Sequence, residues 1–161
     1  MKYIKNFKIF ESFNDEDIKI SELEPYLVDF THLGCTWLPR ISEEIGEIDF
    51  SRAKKETGHN FIRSSDIDDY SNFKSFKTLE IELSNVDIFE KINISKEQFS
   101  DAVNLLSDYL NIEFDLELYC IYIVKDFNYL FYPSVESLKY FTHLFCNGPE
   151  IKAGKITLIF K

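Results

Sequence analysis

The chain has few of the residues that interrupt regular structure and few of those that build covalent or metal-bound frameworks. Its 161 residues include five glycines, four prolines, three cysteines, three histidines and one tryptophan. Three widely separated cysteines do not make a disulfide framework, which indicates a reducing compartment such as a cytoplasm. No apolar run approaches the length of a membrane-spanning helix, so the sequence predicts no membrane partner.

Basic residues are also scarce. Lysine and arginine number 18 against 28 acidic residues, which gives a formal net charge of −10. Affinity for nucleic acid rests mainly on cations that neutralise phosphates, so this balance argues against a nucleic-acid partner. An acidic surface favours solubility and suits a basic protein partner instead. The sequence predicts no particular oligomeric state.

Apolar and aromatic residues, by contrast, are plentiful. Hydrophobic residues make up 45% of the chain and aromatic residues 16%, with 16 phenylalanines and nine tyrosines. That content excludes wholesale disorder and is enough for one tightly packed core. We expect an N-terminal leader or first helix over residues 1–14, followed by a single α+β domain over residues 15–161.

The first half of the domain combines helix and strand patterns. Residues 21–33 are predicted to form a helix, regular from Pro25 onwards, because apolar side chains recur at spacings of three and four. Gly34 is a natural C-terminal stop for this helix. Residues 35–41 are predicted to form a strand whose proline places it at a sheet edge. Residues 45–50 are expected to return as the second strand of a hairpin.

Residues 51–76 show no regular pattern and indicate a long polar loop with room for a helical turn. A loop of that length inside a compact domain is typically mobile or functional. We expect a partner to bind there, on an acidic surface drawn from residues 56–72 that includes Asp66, Asp68 and Asp69. The three aspartates resemble the start of a calcium loop but lack its glycine and closing glutamate, so we interpret them as a solvated charge run.

The second half predicts the order strand, helix, strand, strand, helix, strand. Its strongest patterns are the strict alternation over residues 78–83, with one buried face, and the capping box at Ser95, whose apolar stripe ends near Asn111. The other elements are expected at residues 114–124 (strand, with Leu116, Leu118 and Cys120 on one face), 129–132 (strand), 133–145 (helix) and 156–160 (strand). This order is that of a ferredoxin-like two-layer sandwich, a mostly antiparallel sheet with helices on one face.

Two hexapeptides nearly repeat: FTHLGC at 30–35 and FTHLFC at 141–146 match at five of six positions. Each places a histidine three residues before a cysteine. The four side chains are His32, Cys35, His143 and Cys146. Two such pairs would supply two nitrogens and two thiolates, enough for a tetrahedral zinc ion in a small metal-dependent or thiol enzyme. The alternatives are an internal duplication and a coincidence in which the cysteines are ordinary small hydrophobic residues.

Other catalytic patterns are missing. The chain has no glycine-rich phosphate loop, no nucleophile elbow and no His-Glu-x-x-His run. His59 follows Gly58 in a polar segment and is interpreted as a solvated histidine. We therefore predict no catalytic residues, no cofactor and no bound metal, and a protein that is not an enzyme.

The first twelve residues, MKYIKNFKIFES, form a basic and aromatic leader on this acidic chain. Its apolar residues have helical spacing, so it could be the first element of the fold, whereas three lysines on so short a helix would give only marginal membrane binding. The leader does not contain the continuous apolar segment that is typical of a secretory signal. The leader also resembles the N-termini of small accessory proteins encoded by large tailed bacteriophages, which open with Met-Lys, run through spaced Phe and Ile and end in Glu-Ser or Glu-Phe.

This resemblance implies a phage-encoded accessory protein in the host cytoplasm or the virion. Some such leaders direct proteins into the immature head, where a protease cuts after an apolar-x-Glu sequence. Here the cut would fall between Glu11 and Ser12. We expect a protein that is virion-associated or that binds a protein partner in the infected cell.

Overall fold

The computed structural model describes residues 19–87, 89–134 and 150–161. The helices are α1 (Ile20–His32), α2 (Phe50–Thr57), α3 (Ile67–Tyr70) and α4 (Lys96–Phe114), with a 3₁₀ turn at Ser64–Asp66. The strands are β1 (Cys35–Ser42), β2 (Gly46–Ile48), β3 (Ile62–Arg63), β4 (Ser71–Ser75), β5 (Thr78–Asn85), β6 (Ile92–Ser95), β7 (Leu118–Lys125), β8 (Asn128–Tyr132), β9 (Glu150–Ala153) and β10 (Lys155–Phe160). The leader and the helix expected over residues 133–145 lie largely or wholly outside the described residues.

Six strands form one antiparallel sheet in the order β1-β5-β10-β7-β8-β3, and the pairs β2–β4 and β6–β9 form two separate ribbons. The α+β class with a mostly antiparallel sheet is therefore confirmed. The ferredoxin-like order is not, because β10 lies between β5 and β7, where that fold would place β8. The mostly apolar sequence of β10, KITLIF, suits this central position, and five of its six residues are buried, as expected for a strand covered on both faces.

Helix α4 covers one face of the sheet. The Ser95 hydroxyl accepts a hydrogen bond from the backbone N–H of Gln98, as the capping pattern predicts. The predicted stripe is buried against the sheet; its fully enclosed members are Phe99, Val103, Leu106 and Leu110. The helix continues one turn beyond Asn111, because Asp115 adopts the left-handed conformation that ends it.

Helix α1 packs beside α4 on the same face, with Leu23, Leu27 and Phe30 fully buried. The helix begins before Pro25 rather than at it, since the Glu22 carboxylate accepts a hydrogen bond from the backbone N–H of Lys19 at 3.4 Å. Gly34, with φ of 82°, ends the helix as expected and leads directly into β1. Strand β1 is an edge of the six-stranded sheet, also as expected.

The opposite face of the sheet is partly covered by the segment that was expected to be a loop. Residues 51–76 instead form α2, β3, the 3₁₀ turn, α3 and β4. Their polar side chains face outwards, which hides the regular structure in the sequence. A second hydrophobic cluster anchors them. It contains Ile48, Ala53, Ile62, Cys120 and Ile159.

Three further expectations are corrected. Residues 45–50 do not form a hairpin with β1; β2 pairs with β4, and Gly46 lies so close to the Asn72 carbonyl that a side chain would overlap it. Strand β5 is buried on both faces, including Glu80, and not on one face only, because both sides of the sheet are covered. Leu118 and Cys120 lie on opposite faces, because the pairing of β7 with β10 skips Tyr119.

Candidate partner-binding site

A cleft of about 230 Å³ lies between α2 and the segment that follows it. Helix α2 begins where the Asp49 carboxylate accepts a hydrogen bond from the backbone N–H of Arg52 at 2.9 Å. It ends at Gly58, whose φ of 75° reverses the chain so that β3 passes beside the helix. The buried Ala53 anchors the helix and leaves space for the cleft.

Aromatic side chains form much of the wall. The His59 imidazole stacks on the Phe61 ring with 4.9 Å between centroids, and Phe61 in turn contacts Tyr132 at 5.8 Å. His59 is exposed, in agreement with its interpretation as a solvated residue, but it also lines the cleft. The complete lining is Ala53, Thr57, His59, Phe61, Ile62, Arg63, Asp66 and Tyr70.

Tyr70 is held by charged groups of α2. The Arg52 guanidinium donates to the Glu56 carboxylate at 3.0 Å and lies 5.4 Å from the centre of the Tyr70 ring. Burial raises the pKa of Tyr70, and its hydrogen bond with Glu56 raises it further. The hydrogen bond from Arg52 holds the pKa of Glu56 below its usual range. At neutral pH the site therefore holds a neutral phenol beside an ion pair.

The three aspartates of the predicted partner-binding surface occupy the 3₁₀ turn and α3. All three are exposed. Asp66 lines the cleft and accepts a hydrogen bond from the Ser65 hydroxyl at 3.2 Å. Asp68 and Asp69 lie in the first turn of α3, the helix that directly follows the 3₁₀ turn in the chain. The structure thus places one predicted residue in the cleft and the other two on the helix beside it.

The repeated His-x-x-Cys pairs are only half described, since His143 and Cys146 lie outside the described residues. His32 is exposed at the end of α1, whereas Cys35 is buried at the start of β1. Burial raises the pKa of the Cys35 thiol to about 11, and it also raises that of Cys120. Within the described ranges, no three His, Cys, Asp or Glu residues are grouped so that they could hold a metal ion.

Glu11 and Ser12, the expected processing site, are likewise outside the described residues. In the part of the chain that is described, no helix has the length and apolarity needed to cross a membrane. No protein-family model, curated protein or solved structure matches the chain.

The cleft itself was not predicted from the sequence. Its aromatic wall and Arg63 come from a segment without periodicity, and the space between them is created by tertiary packing. Two local signals were available: Asp49 as a helix cap, and Arg52 and Glu56 at the spacing of a helical ion pair. Both would have identified α2, although neither would have revealed the cleft.

Proposed function

We propose that this chain is a phage-encoded accessory protein that has no enzymatic activity and binds a basic protein partner, either in the host cytoplasm or in the virion. The phage origin rests on the resemblance of the leader. The mode of binding rests on the cleft beside α2.

The size of the cleft is the observation that carries the proposal. Small-molecule sites usually enclose about 300–1,000 Å³, whereas this cleft encloses about 230 Å³. It is therefore smaller than most sites for drug-sized ligands and has room for one side chain of a partner.

The lining favours a lysine or arginine as that side chain. The rings of Phe61 and Tyr70 can contact its alkyl stem or its cation, and the Asp66 carboxylate can accept its N–H groups. Asp68 and Asp69 add negative charge beside the cleft. Arg63 lies in the same lining and favours a partner that has an acidic residue near its basic anchor.

The described cysteines do not favour the alternative of a thiol enzyme. A nucleophilic cysteine reacts as its thiolate, which needs a lowered pKa and access to solvent. Cys35 and Cys120 are both buried, and burial raises the pKa of both thiols.

The proposal is tested by removing the negative charge at the cleft. The triple variant Asp66→Asn, Asp68→Asn, Asp69→Asn is expressed with an affinity tag in infected cells, and co-purifying proteins are quantified by mass spectrometry. We expect recovery of a basic partner to fall at least about tenfold, since charge-assisted contacts carry much of such binding. Purified virions are searched for the same partner and for this chain.

The matched control is Asp101→Asn, Asp108→Asn, Glu113→Gln, which removes three exposed acidic charges from α4. The control should recover the partner as the wild type does. Recovery of the partner at the wild-type level by both triple variants would contradict a role for the cleft. Equal losses would assign the effect to net charge alone.

A further inference from the structure

Among the described residues, four exposed apolar side chains are carried by two neighbouring loops at one end of the six-stranded sheet. They are Val86, Phe89, Phe127 and Tyr129, with 63%, 90%, 94% and 45% of their surfaces exposed. Val86 and Phe89 follow β5, while Phe127 and Tyr129 belong to the β7–β8 hairpin. We call these four residues the aromatic tip.

The two loops of the tip are joined and internally held. The Lys91 ammonium and the Asp126 carboxylate form an ion pair at 2.5 Å, which links one loop to the other. The backbone N–H of Phe89 donates to the Asp87 carboxylate at 3.0 Å, and the Asn85 side chain donates to the Lys91 carbonyl at 2.9 Å. These bonds connect the two loops and order the backbone of the one that carries Phe89.

The exposed apolar area is large enough for a partner. A phenylalanine or tyrosine side chain presents on the order of 200 Å², so the four residues expose about 500 Å² at the fractions above. This sum is in the range of the largest apolar patch on a typical monomer, about 300–600 Å², which is often functional. Two copies of this patch would bury at most about 1,000 Å², which is the lower limit for a specific interface.

The local charge at this end of the molecule is close to neutral. Residues 85–91 and 124–129 carry three acidic residues and two lysines, against a net charge of −10 for the chain. Two copies of a chain with this net charge repel each other overall, but contact through the tip adds little local repulsion. The near-neutral tip also offers no net attraction for anionic lipid or for a basic partner.

We infer that the aromatic tip is a self-association surface, at which two copies of this chain meet tip to tip as a weak dimer. The four apolar residues of one copy pack on those of the other, and the acidic remainder of each copy points away. An interface of this small area is typical of weak, transient association. This surface is separate from the cleft, so the proposed partner binding can fail without affecting it.

The test measures the mass of the full chain by sedimentation velocity over a concentration series from low to high micromolar. The double variant Phe89→Ser, Phe127→Ser removes the two most exposed apolar side chains. The matched control is Ile112→Ser on α4, which removes another largely exposed apolar side chain. Thermal melting confirms that all three proteins are folded.

We expect the wild type and the control to shift from monomer to dimer, and the double variant to dimerise at least about tenfold more weakly. Because the contact is apolar, raising the salt concentration should not weaken it. A wild type that stays monomeric at hundreds of micromolar would overturn the inference. So would a double variant that dimerises as well as the wild type.

Two further measurements distinguish a second copy at the aromatic tip from contact at another surface and from a membrane. Chemical cross-linking of mixed ¹⁴N and ¹⁵N protein should join Lys91 or Lys125 of one copy to the same lysines of another; links from these lysines mainly to other surfaces would contradict tip-to-tip contact. Flotation with phosphatidylcholine–phosphatidylserine vesicles should leave the wild type unbound. Binding that the double variant loses would assign the tip to a membrane surface and overturn the inference.

Discussion

Arg40 and Glu80 form the most asymmetric ion pair among the described residues. The Arg40 guanidinium lies 2.6 Å from the Glu80 carboxylate, and the side chain of Glu80 is 4% exposed against 47% for Arg40. A carboxylate removed from water needs its partner, because an uncompensated buried charge is costly. The arginine, by contrast, retains access to water when the pair is broken.

This asymmetry predicts that Arg40→Met destabilises the fold. The change keeps most of the apolar stem but leaves Glu80 without this cation, so we expect the free energy of unfolding to fall by about 1–3 kcal/mol. The control is Lys155→Met, which breaks a 3.3 Å pair with the more exposed Glu82 and should cost less than about 1 kcal/mol. Urea unfolding measures both. Equal losses would show that Glu80 does not depend on Arg40.

Cys35 gives a prediction about pH. In the folded protein burial raises the pKa of its thiol from 9.0 to about 11. Between these values the unfolded chain releases the proton while the folded chain keeps it, so the unfolded state binds fewer protons and stability falls as pH rises. Below pH 9 both states hold the proton and the thiol contributes no slope.

The Cys35→Ala variant should therefore lose less stability than the wild type between pH 9 and 11. The difference in slope should accumulate to on the order of 2 kcal/mol across this window. Urea unfolding at a series of pH values measures it, and Cys120 is present in both proteins, so its own titration cancels. Parallel curves for the two proteins would rule out a raised pKa at Cys35.

At the scale of elements, α4 offers two adjacent leucines in opposite environments. Leu106 is fully buried in the core, whereas Leu105 is 49% exposed. Truncating Leu106 to alanine removes buried methyl groups and leaves a cavity, so we expect a loss of about 2–4 kcal/mol. Leu105→Ala should cost well under 1 kcal/mol, because little buried surface is lost. Chemical denaturation of the two variants should separate them clearly; a Leu106→Ala protein as stable as the wild type would show that the stripe is not core.

The elements with strong local patterns were predictable. Helices α1 and α4 have apolar stripes at helical spacing. Gly34 marks the C-terminal end of α1, and Ser95 marks the N-terminal end of α4. The strict alternation in β5 and the apolar run in β10 also predict strands. These signals depend only on residues that are close in sequence, so they can be recognised without a structure.

What could not be predicted depends on partners far apart in the chain. Strand β2 pairs with β4, and β6 pairs with β9, across long separations with no sequence signal that specifies the pairing. The pairing of β7 with β10 skips Tyr119, and this irregularity places Leu118 on the opposite face of the sheet from Cys120. The cleft is missed for the same reason, since its walls come from short elements that only tertiary packing brings together.

At the scale of the whole molecule, charge and apolar surface are distributed unevenly. The cleft has an acidic side at α3, while the aromatic tip is nearly neutral on a chain with a net charge of −10. Under the two proposals above, one surface would bind a basic partner and another would bind a second copy. Binding of a partner and self-association should then be separable by the two sets of variants described above.

The leader provides the prediction that concerns the whole chain. If it is a head-targeting tag, the form in mature virions should begin at Ser12, because cleavage would follow Glu11. Removal of residues 1–11 sheds three lysines and one glutamate, so the remaining chain is more acidic. N-terminal mass spectrometry of purified virions measures the start of the mature chain, and a chain that still begins at Met1 would contradict processing.

Deleting residues 1–11 tests whether the leader is disposable. A tag that does not pack on the domain can be lost at little cost, since undocked termini contribute little to stability. We therefore expect the truncated protein to melt within a few degrees of the full chain and to be missing from virions. If Phe7 and Phe10 instead pack into the core, their removal should cost several kcal/mol, on the scale of lost aromatic burial. A large drop in melting temperature would make the leader part of the fold and remove the main sequence support for head targeting.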